Sequence, residues 1–211
     1  MVFKRLKMKK CNLVIEDSSF EAHLKALRSC QNCIATLPLG PNPIVQLSPR
    51  AQILIISQAP GTRAHETSTT FNDPSGDRLR EWLKMDRQQF YNPEEIAIMP
   101  MGFCYPGRNP KGGDLPPASV CAPLWHQKTL NYLPNIQLIL LVGQYAQKHY
   151  LGDRRKKTLT QTVKAWQEFL PTYFPLPHPS WRNIGWCAAN EWFEKEVLPE
   201  LQDKVWSILK P

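Results

Sequence analysis

The sequence predicts an α/β fold, a three-layer sandwich with a central, mainly parallel four-stranded sheet between helices. Two observations carry that prediction. Short apolar runs suited to buried strands alternate with longer stretches of helical periodicity, the pattern of a parallel sheet covered on both faces. The turn-forming and chemically distinctive segments follow the ends of those runs, where open parallel sheets bind their ligands. With 42% hydrophobic and 21% charged residues, the 211-residue chain has the balance of one folded domain. That domain is expected over residues 18–211, behind a basic tail over residues 1–17.

The elements follow in order. Ser18 to Leu27 alternates polar and apolar positions at helical spacing, with Ser18 or Ser19 as its cap. Ile53 to Ser57 is a short buried strand that breaks at Pro60-Gly61. Ser75 to Met85 is a helix with Asp77 in its first turn and Leu79, Trp82 and Leu83 on one face. Ile96 to Met101 is a second strand, and Pro117 to Leu133 an amphipathic helix. Ile136 to Val142 is the clearest strand, an unbroken run of β-branched residues and Leu that Gly143 ends, and a short helix follows. Thr158 to Leu170 is helical, and Tyr173 to Leu176 is a fourth strand leading into His178-Pro179-Ser180. Phe193, Val197, Leu201, Val205 and Leu209 recur every four residues, which makes Glu191 to Leu209 a C-terminal amphipathic helix.

Bulk properties narrow the function classes. The run Ile136 to Val142 is far too short to span a bilayer, and no apolar stretch with a cleavage site follows the basic Met1 to Lys10. A cytoplasmic protein without a membrane partner is therefore expected, and its six cysteines point to ligation or burial rather than disulfides. A net charge of +8 and a pI near 9.2 favour a polyanionic partner, since each Lys or Arg set against a phosphate releases counterions. Many basic proteins never touch nucleic acid, so charge alone leaves that open. Twenty prolines, many of them near the distinctive segments, indicate rigid loops on a regular scaffold.

Four segments carry chemistry. Gln58-Ala59-Pro60-Gly61 follows the first strand, and a Pro-Gly turn there lets backbone amides approach a ligand; as structure, it is a turn that ends a strand. In Phe71-Asn72-Asp73-Pro74-Ser75-Gly76-Asp77, Phe71 can stack on a flat heterocycle and Asp73 can polarise a water. The bland alternative packs Phe71 in the core and uses Asp73 or Ser75 as a helix cap. His178-Pro179-Ser180 holds an imidazole on a strand-end loop, placed to hydrogen-bond a leaving group or simply to pack. Cys30-x-x-Cys33 and the pair Cys104 and Cys121 supply four thiolates, enough for an iron–sulfur cluster or a tetrahedral zinc, with plain buried thiols as the third reading.

Taken together, the order and spacing of these pieces resemble the uracil-DNA glycosylase superfamily, and most closely its four-cysteine iron–sulfur classes. Those classes show a strand, a G-E-G/A-P-G-like turn, a Phe ten residues after the last Gly and a late H-P-S. Here Ser57-Gln58-Ala59-Pro60-Gly61 is followed by Phe71, ten residues after Gly61, and later by His178-Pro179-Ser180. Cys30, Cys33, Cys104 and Cys121 reproduce the family's cysteine arrangement, with Tyr105-Pro106-Gly107-Arg108 in the loop, and the resemblance runs from about Leu24 to Leu209.

The resemblance implies a base-excision DNA glycosylase that takes an extruded nucleotide and hydrolyses the N-glycosidic bond of uracil or another deaminated base. It implies that Phe71 stacks on the base and that His178 donates a hydrogen bond to the carbonyl gathering charge. The backbone around Gln58, Ala59 and Gly61 would bind the base edge. Ser180 and Arg182 would grip phosphates, with Trp181 as a wedge or as surface packing. It implies a 4Fe-4S cluster, or zinc, on the four cysteines, and a monomer acting on damaged DNA. Three departures qualify it. Ala59 stands where the best-known members carry a water-activating Asp or Asn, Gln58 where the iron–sulfur class has Glu, and Pro100 where that class has a pyrimidine-reading Asn. The broader-specificity class pairs a G-L-A-P-G turn with F-x-G-D-x-S-G-D. The segment from Phe71 to Asp77 resembles the latter with one residue missing, making Asp73 the candidate carboxylate and Glu66 the second choice. The same departures leave a catalytically weak lesion-sensing or DNA-binding protein as the alternative.

Overall fold

All four expected strands form in the computed structural model, which describes residues 17–210. They are β1 (Ile53–Ile56), β2 (Ile96–Ile98), β3 (Leu138–Val142) and β4 (Tyr173–Leu176). The sheet order is β2-β1-β3-β4 and every neighbouring pair is parallel, so the sheet is wholly rather than mainly parallel. Ile53 stands opposite both Ile96 and Leu138, and Val142 opposite Leu176, so the carboxyl ends form one edge. The basic tail expected over residues 1–17 lies, but for Asp17, outside the described residues.

The helices are α1 (Asp17–Arg28), α2 (Thr62–Thr67), α3 (Pro74–Leu83), α4 (Arg87–Phe90), α5 (Cys121–Leu130), α6 (Gln144–Leu151), α7 (Leu159–Lys164), α8 (Ile184–Ala189) and α9 (Leu198–Leu209). Strand residues sort by parity into two cores. Ile53, Ile55, Leu138, Leu140 and Val142 pack with Leu79 and Leu83 of α3 and Leu201 and Val205 of α9. Leu54, Ile56, Ile139 and Leu141 pack on the other face with Phe20, Leu24 and Leu27 of α1 and with Ala146 and Leu151 of α6. A period of two in a strand buried on both faces requires apolar residues at every position, and each such side chain contributes roughly 1.5–3 kcal/mol when fully buried. The result is a three-layer α/β sandwich. Among the described residues, no helix is long and apolar enough to cross a membrane.

Differences from the expected boundaries have local causes. The stretch Pro117 to Leu133 is helical only from Cys121 to Leu130, since the Pro116-Pro117 pair favours extended backbone before it. The helix expected over Thr158 to Leu170 breaks at Ala165 into α7 and a 3-10 turn, Trp166–Phe169. The C-terminal helix begins as a π-helical turn, Phe193–Val197, next to Pro199, which has no amide hydrogen to donate back along the helix. Pairing also continues past the strand ends: Met99 N donates to Ile55 O (2.9 Å) and Met101 N to Ser57 O (2.8 Å). That continuation ties the segment around Pro100 to the turn after β1.

Candidate active site

A cavity of about 500 Å³ opens over the carboxyl edge of the sheet. Its wall includes the turn Gln58 to Gly61, Phe71, Asp73, Pro100 and His178, while Ser180, Trp181 and Arg182 stand at its rim. Nine residues expected at the site from three separate segments are thus brought together. Glu66 is not among the lining residues: it sits exposed on α2.

Phe71 is held in an unusual way. Its φ of 53° is left-handed backbone, which an aromatic residue adopts only when its surroundings dictate it. Arg80 Nη1 donates to the Phe71 carbonyl (3.3 Å), and the Tyr91 hydroxyl donates to the Thr70 carbonyl (2.9 Å). Arg80 is itself buried, paired with Asp77 at 2.5 Å and placed 5.3 Å from the centre of the Phe90 ring. The Phe71 carbonyl also folds against α3 so closely that a Cβ at Gly76 would overlap it. Phe90 meets the Phe71 ring edge-on at 6.0 Å, so both the backbone and the ring are fixed before any ligand arrives.

Asp73 satisfies both readings of its sequence segment. Its Oδ1 accepts from Gly76 N at 2.8 Å and caps α3, while Oδ2 lies 3.8 Å from where a Gly61 Cβ would stand, on the cavity side. Cap and candidate carboxylate use different oxygens. His178 follows β4. Its carbonyl accepts from Asn183 Nδ2 (2.7 Å), and the Ser180 carbonyl accepts from Arg78 Nη1 (3.1 Å), which anchors the loop to α3. Among the described residues the imidazole has no hydrogen-bond partner. Desolvation lowers its pKa below the ordinary value, with the Asp73 carboxylate opposing the shift. The ring is therefore neutral at neutral pH and presents an N–H without a full charge.

The rim is mixed. Trp181 is 72% exposed, with the Arg182 guanidinium 5.4 Å from its ring centre. Arg182 Nη1 also donates to the Gly112 carbonyl (3.3 Å), so it clamps a hairpin as well as facing outward. That hairpin, residues 107–115, closes through Asn109 N to Gly113 O (2.7 Å) and Leu115 N to Gly107 O (2.8 Å). It brings Arg108 and Asp114 to the cavity, and α6 brings Gln144 and Tyr145. Sequence reading missed these four. Gln144 and Tyr145 directly follow the β3–Gly143 boundary, a signal of the same kind as the turn after β1, whereas Asp114 looks like an ordinary Gly-Gly-Asp turn.

The four expected ligand thiols also meet. Cys30, Cys33, Cys104 and Cys121 line one small cavity between the loop after α1 and the start of α5, although no three His, Cys, Asp or Glu side chains among the described residues are arranged to hold a metal ion. Desolvation first, with a smaller push from the neighbouring cysteines and against the pull of backbone hydrogen bonds, raises the Cys104 thiol to about 11 and that of Cys121 to about 12.

A comparison with known families decides the kinship. The model of the Uracil DNA glycosylase superfamily matches residues 44–202, which spans the sheet and every cavity residue from Gln58 to Arg182. The chain belongs to the uracil-DNA glycosylase superfamily. Its members are in general DNA glycosylases of base-excision repair, which makes DNA the partner class. The superfamily match begins after Cys30 and Cys33, so it bears on the α/β core and its carboxyl-edge cavity and not on the four thiols as a set.

Proposed function

We propose that this protein is a DNA glycosylase that hydrolyses the N-glycosidic bond of uracil or another deaminated base. The observation that carries the reading is the convergence of Phe71, Asp73 and His178 on one cavity at the carboxyl edge of a parallel sheet. A base inside a duplex is out of reach, so the nucleotide enters the cavity extruded or from a single strand. Phe71, already locked by Arg80 and Gly76, stacks on it. The turn amides after β1 bind its edge. As the bond to the sugar lengthens, negative charge collects on the base and positive charge on the sugar. The neutral His178 N–H stabilises the first and Asp73 Oδ2 the second, each preorganised by bonds made elsewhere. Trp181 and Arg182 at the rim suit the gap in the helix and its flanking phosphates.

Pro100 offers no side-chain donor or acceptor to the base. Reading a pyrimidine edge then falls to groups such as Gln58, Gln144 and Tyr145, which fits a deaminated base other than uracil as well as uracil itself. Cys30, Cys33, Cys104 and Cys121 are proposed to hold a 4Fe-4S cluster. The four thiols, which line one cavity, would supply the thiolate ligands of such a cluster. When bound, the group would be structural, joining the loop after α1 to the start of α5.

The test uses single- and double-stranded oligonucleotides carrying uracil, hypoxanthine or xanthine, scored for alkali-sensitive abasic sites. The wild type is expected to produce such sites from at least one substrate, and His178→Ala to slow release by roughly 100-fold or more. Binding of lesion DNA without any abasic product would favour the lesion-sensing alternative, which the alanine at position 59 and the proline at position 100 motivate.

A further inference from the structure

Hydrolysis needs a group to take the proton of the attacking water, and the turn Gln58 to Gly61 has no carboxylate to offer. Among the described residues the cavity wall holds only two acids, Asp73 and Asp114. They come from unrelated parts of the chain, Asp73 from the cap of α3 and Asp114 from the hairpin over residues 107–115. Yet they face the same point. Measured from the place a Gly61 Cβ would occupy, Asp114 Oδ2 is 3.5 Å away and Asp73 Oδ2 3.8 Å. One oxygen of Asp73 is engaged by the Gly76 amide. The Asp114 carboxylate, in contrast, makes no hydrogen bond or ion pair within hydrogen-bond reach among the described residues.

Such a group is costly where it stands. A carboxylate at the mouth of a cavity that admits a polyanion repels it, and an acid with no structural partner contributes nothing to the hairpin that an amide would not. The charged groups around it are Arg182, Asp73 and Arg108, the two arginines favouring its ionised form and Asp73 opposing it. Asp114 stands exposed at the cavity mouth, and partial desolvation, the largest influence, raises its pKa above the ordinary carboxylate value, which makes it a better proton acceptor than a free carboxylate.

We propose that Asp114 is a second catalytic carboxylate of this site, the acceptor of the water's proton, working opposite Asp73 across Gly61. The inference rests on the glycosylase reading above. In the step, the C1′–N bond breaks and its electron pair leaves with the base as an anion held by His178. The water oxygen bonds to C1′ and its proton passes to the Asp114 carboxylate and then to solvent. The base anion takes up a proton from solvent, so the net change is addition of one water. Asp73 Oδ2 balances the sugar cation.

The experiment compares wild type, Asp114→Asn and Asp114→Glu in single-turnover excision of whichever base the wild type releases, across pH. It also compares their affinities for two uncleavable oligonucleotides, one with a cationic pyrrolidine and one with a neutral tetrahydrofuran in place of the sugar. Asp114→Asn is expected to slow the chemical step by roughly 100-fold while binding substrate DNA as well or better. It should lose the acid limb of the pH profile and bind the pyrrolidine oligonucleotide several-fold less well relative to tetrahydrofuran. Asp114→Glu should recover part of the rate. Excision by Asp114→Asn at the wild-type rate would overturn the inference and leave the glycosylase reading standing. Equal weakening toward both sugar analogues would overturn it too, because that is the mark of a damaged hairpin. A wild type that releases no base fails at the earlier step and takes the glycosylase reading down with the inference.

Discussion

The loop that carries Asp73 and the hairpin that carries Asp114 face each other across Gly61, and they are held in opposite ways. On the Asp73 side, Arg80 and Tyr91 bond successive carbonyls, Gly76 caps onto the carboxylate, and Arg87 reaches Asn72 Oδ1 at 3.0 Å. On the Asp114 side, the hairpin is bonded within itself. Its hydrogen bonds to the rest of the protein, among the described residues, are Arg182 to the Gly112 carbonyl (3.3 Å) and a long contact from Gln58 Nε2 to the Leu115 carbonyl (3.5 Å). The strained Phe71 backbone sits on the tightly held side, where several partners over-determine it. A site that must stack a base in one orientation and still admit a nucleotide has reason to be rigid on one wall and yielding on the other.

The sharpest way to break this contrast is Gly76→Ala. Its Cβ would overlap the Phe71 carbonyl, which is backbone and cannot swing aside, and would fall 2.9 Å from the Phe71 Cβ. The expected loss is about 4 kcal/mol in urea unfolding, with excision reduced by at least as large a factor as in His178→Ala. A variant with wild-type stability would show that the Phe71 loop yields after all.

That loop also shows what could be read in the sequence and what could not. The strands were legible because burial on both faces leaves unbroken Ile, Leu and Val runs, and β1, β3 and β4 lie within two residues of their expected bounds. Short helices such as α2 and α8 have too few turns to display a period and were missed. The site residues at strand ends were legible because the parallel fold assigns ligand binding to that edge. Asp73 was ambiguous only because its two oxygens do two things. Asp114 was hidden, since nothing local marks a hairpin acid as facing a loop fifty residues upstream. Glu66 failed for the reverse reason, a plausible acid close in sequence that α2 leaves in solvent.

A second test addresses the segment around Pro100, which is bonded to the turn after β1. His126 is buried beneath it. Its Nε2–H donates to the Pro100 carbonyl (3.0 Å) and its Nδ1 accepts from the Tyr150 hydroxyl (2.7 Å), an arrangement that requires the neutral ring. Desolvation lowers its pKa from 6.5 to about 4. Between those values the unfolded chain binds a proton that the native one refuses. Stability from this group is therefore intact above pH 6.5 and lost as pH falls to about 4, by roughly 3 kcal/mol at most. Denaturant unfolding at pH 7 and pH 4.5, compared with His126→Gln, reads the difference: the variant should be less stable at pH 7 but lose less on acidification. An equal loss in both would place the acid sensitivity elsewhere.

The smallest effect is expected on the yielding wall. At Gly113, φ is +81° and an added Cβ would press on the Arg182 guanidinium, its Cζ 2.8 Å away. The obstacle is the end of a flexible side chain, so Gly113→Ala should cost about 1 kcal/mol, mostly from the left-handed backbone. Releasing Arg182 frees its charge for the DNA backbone while loosening the hairpin that carries Asp114. The variant should then bind lesion DNA as tightly as the wild type at low salt, yet excise the base several-fold more slowly. Comparable losses in stability for Gly113→Ala and Gly76→Ala would erase the distinction between the two walls. A slower chemical step with intact binding would instead tie that distinction to catalysis, since the hairpin would be misplaced without any loss of DNA affinity.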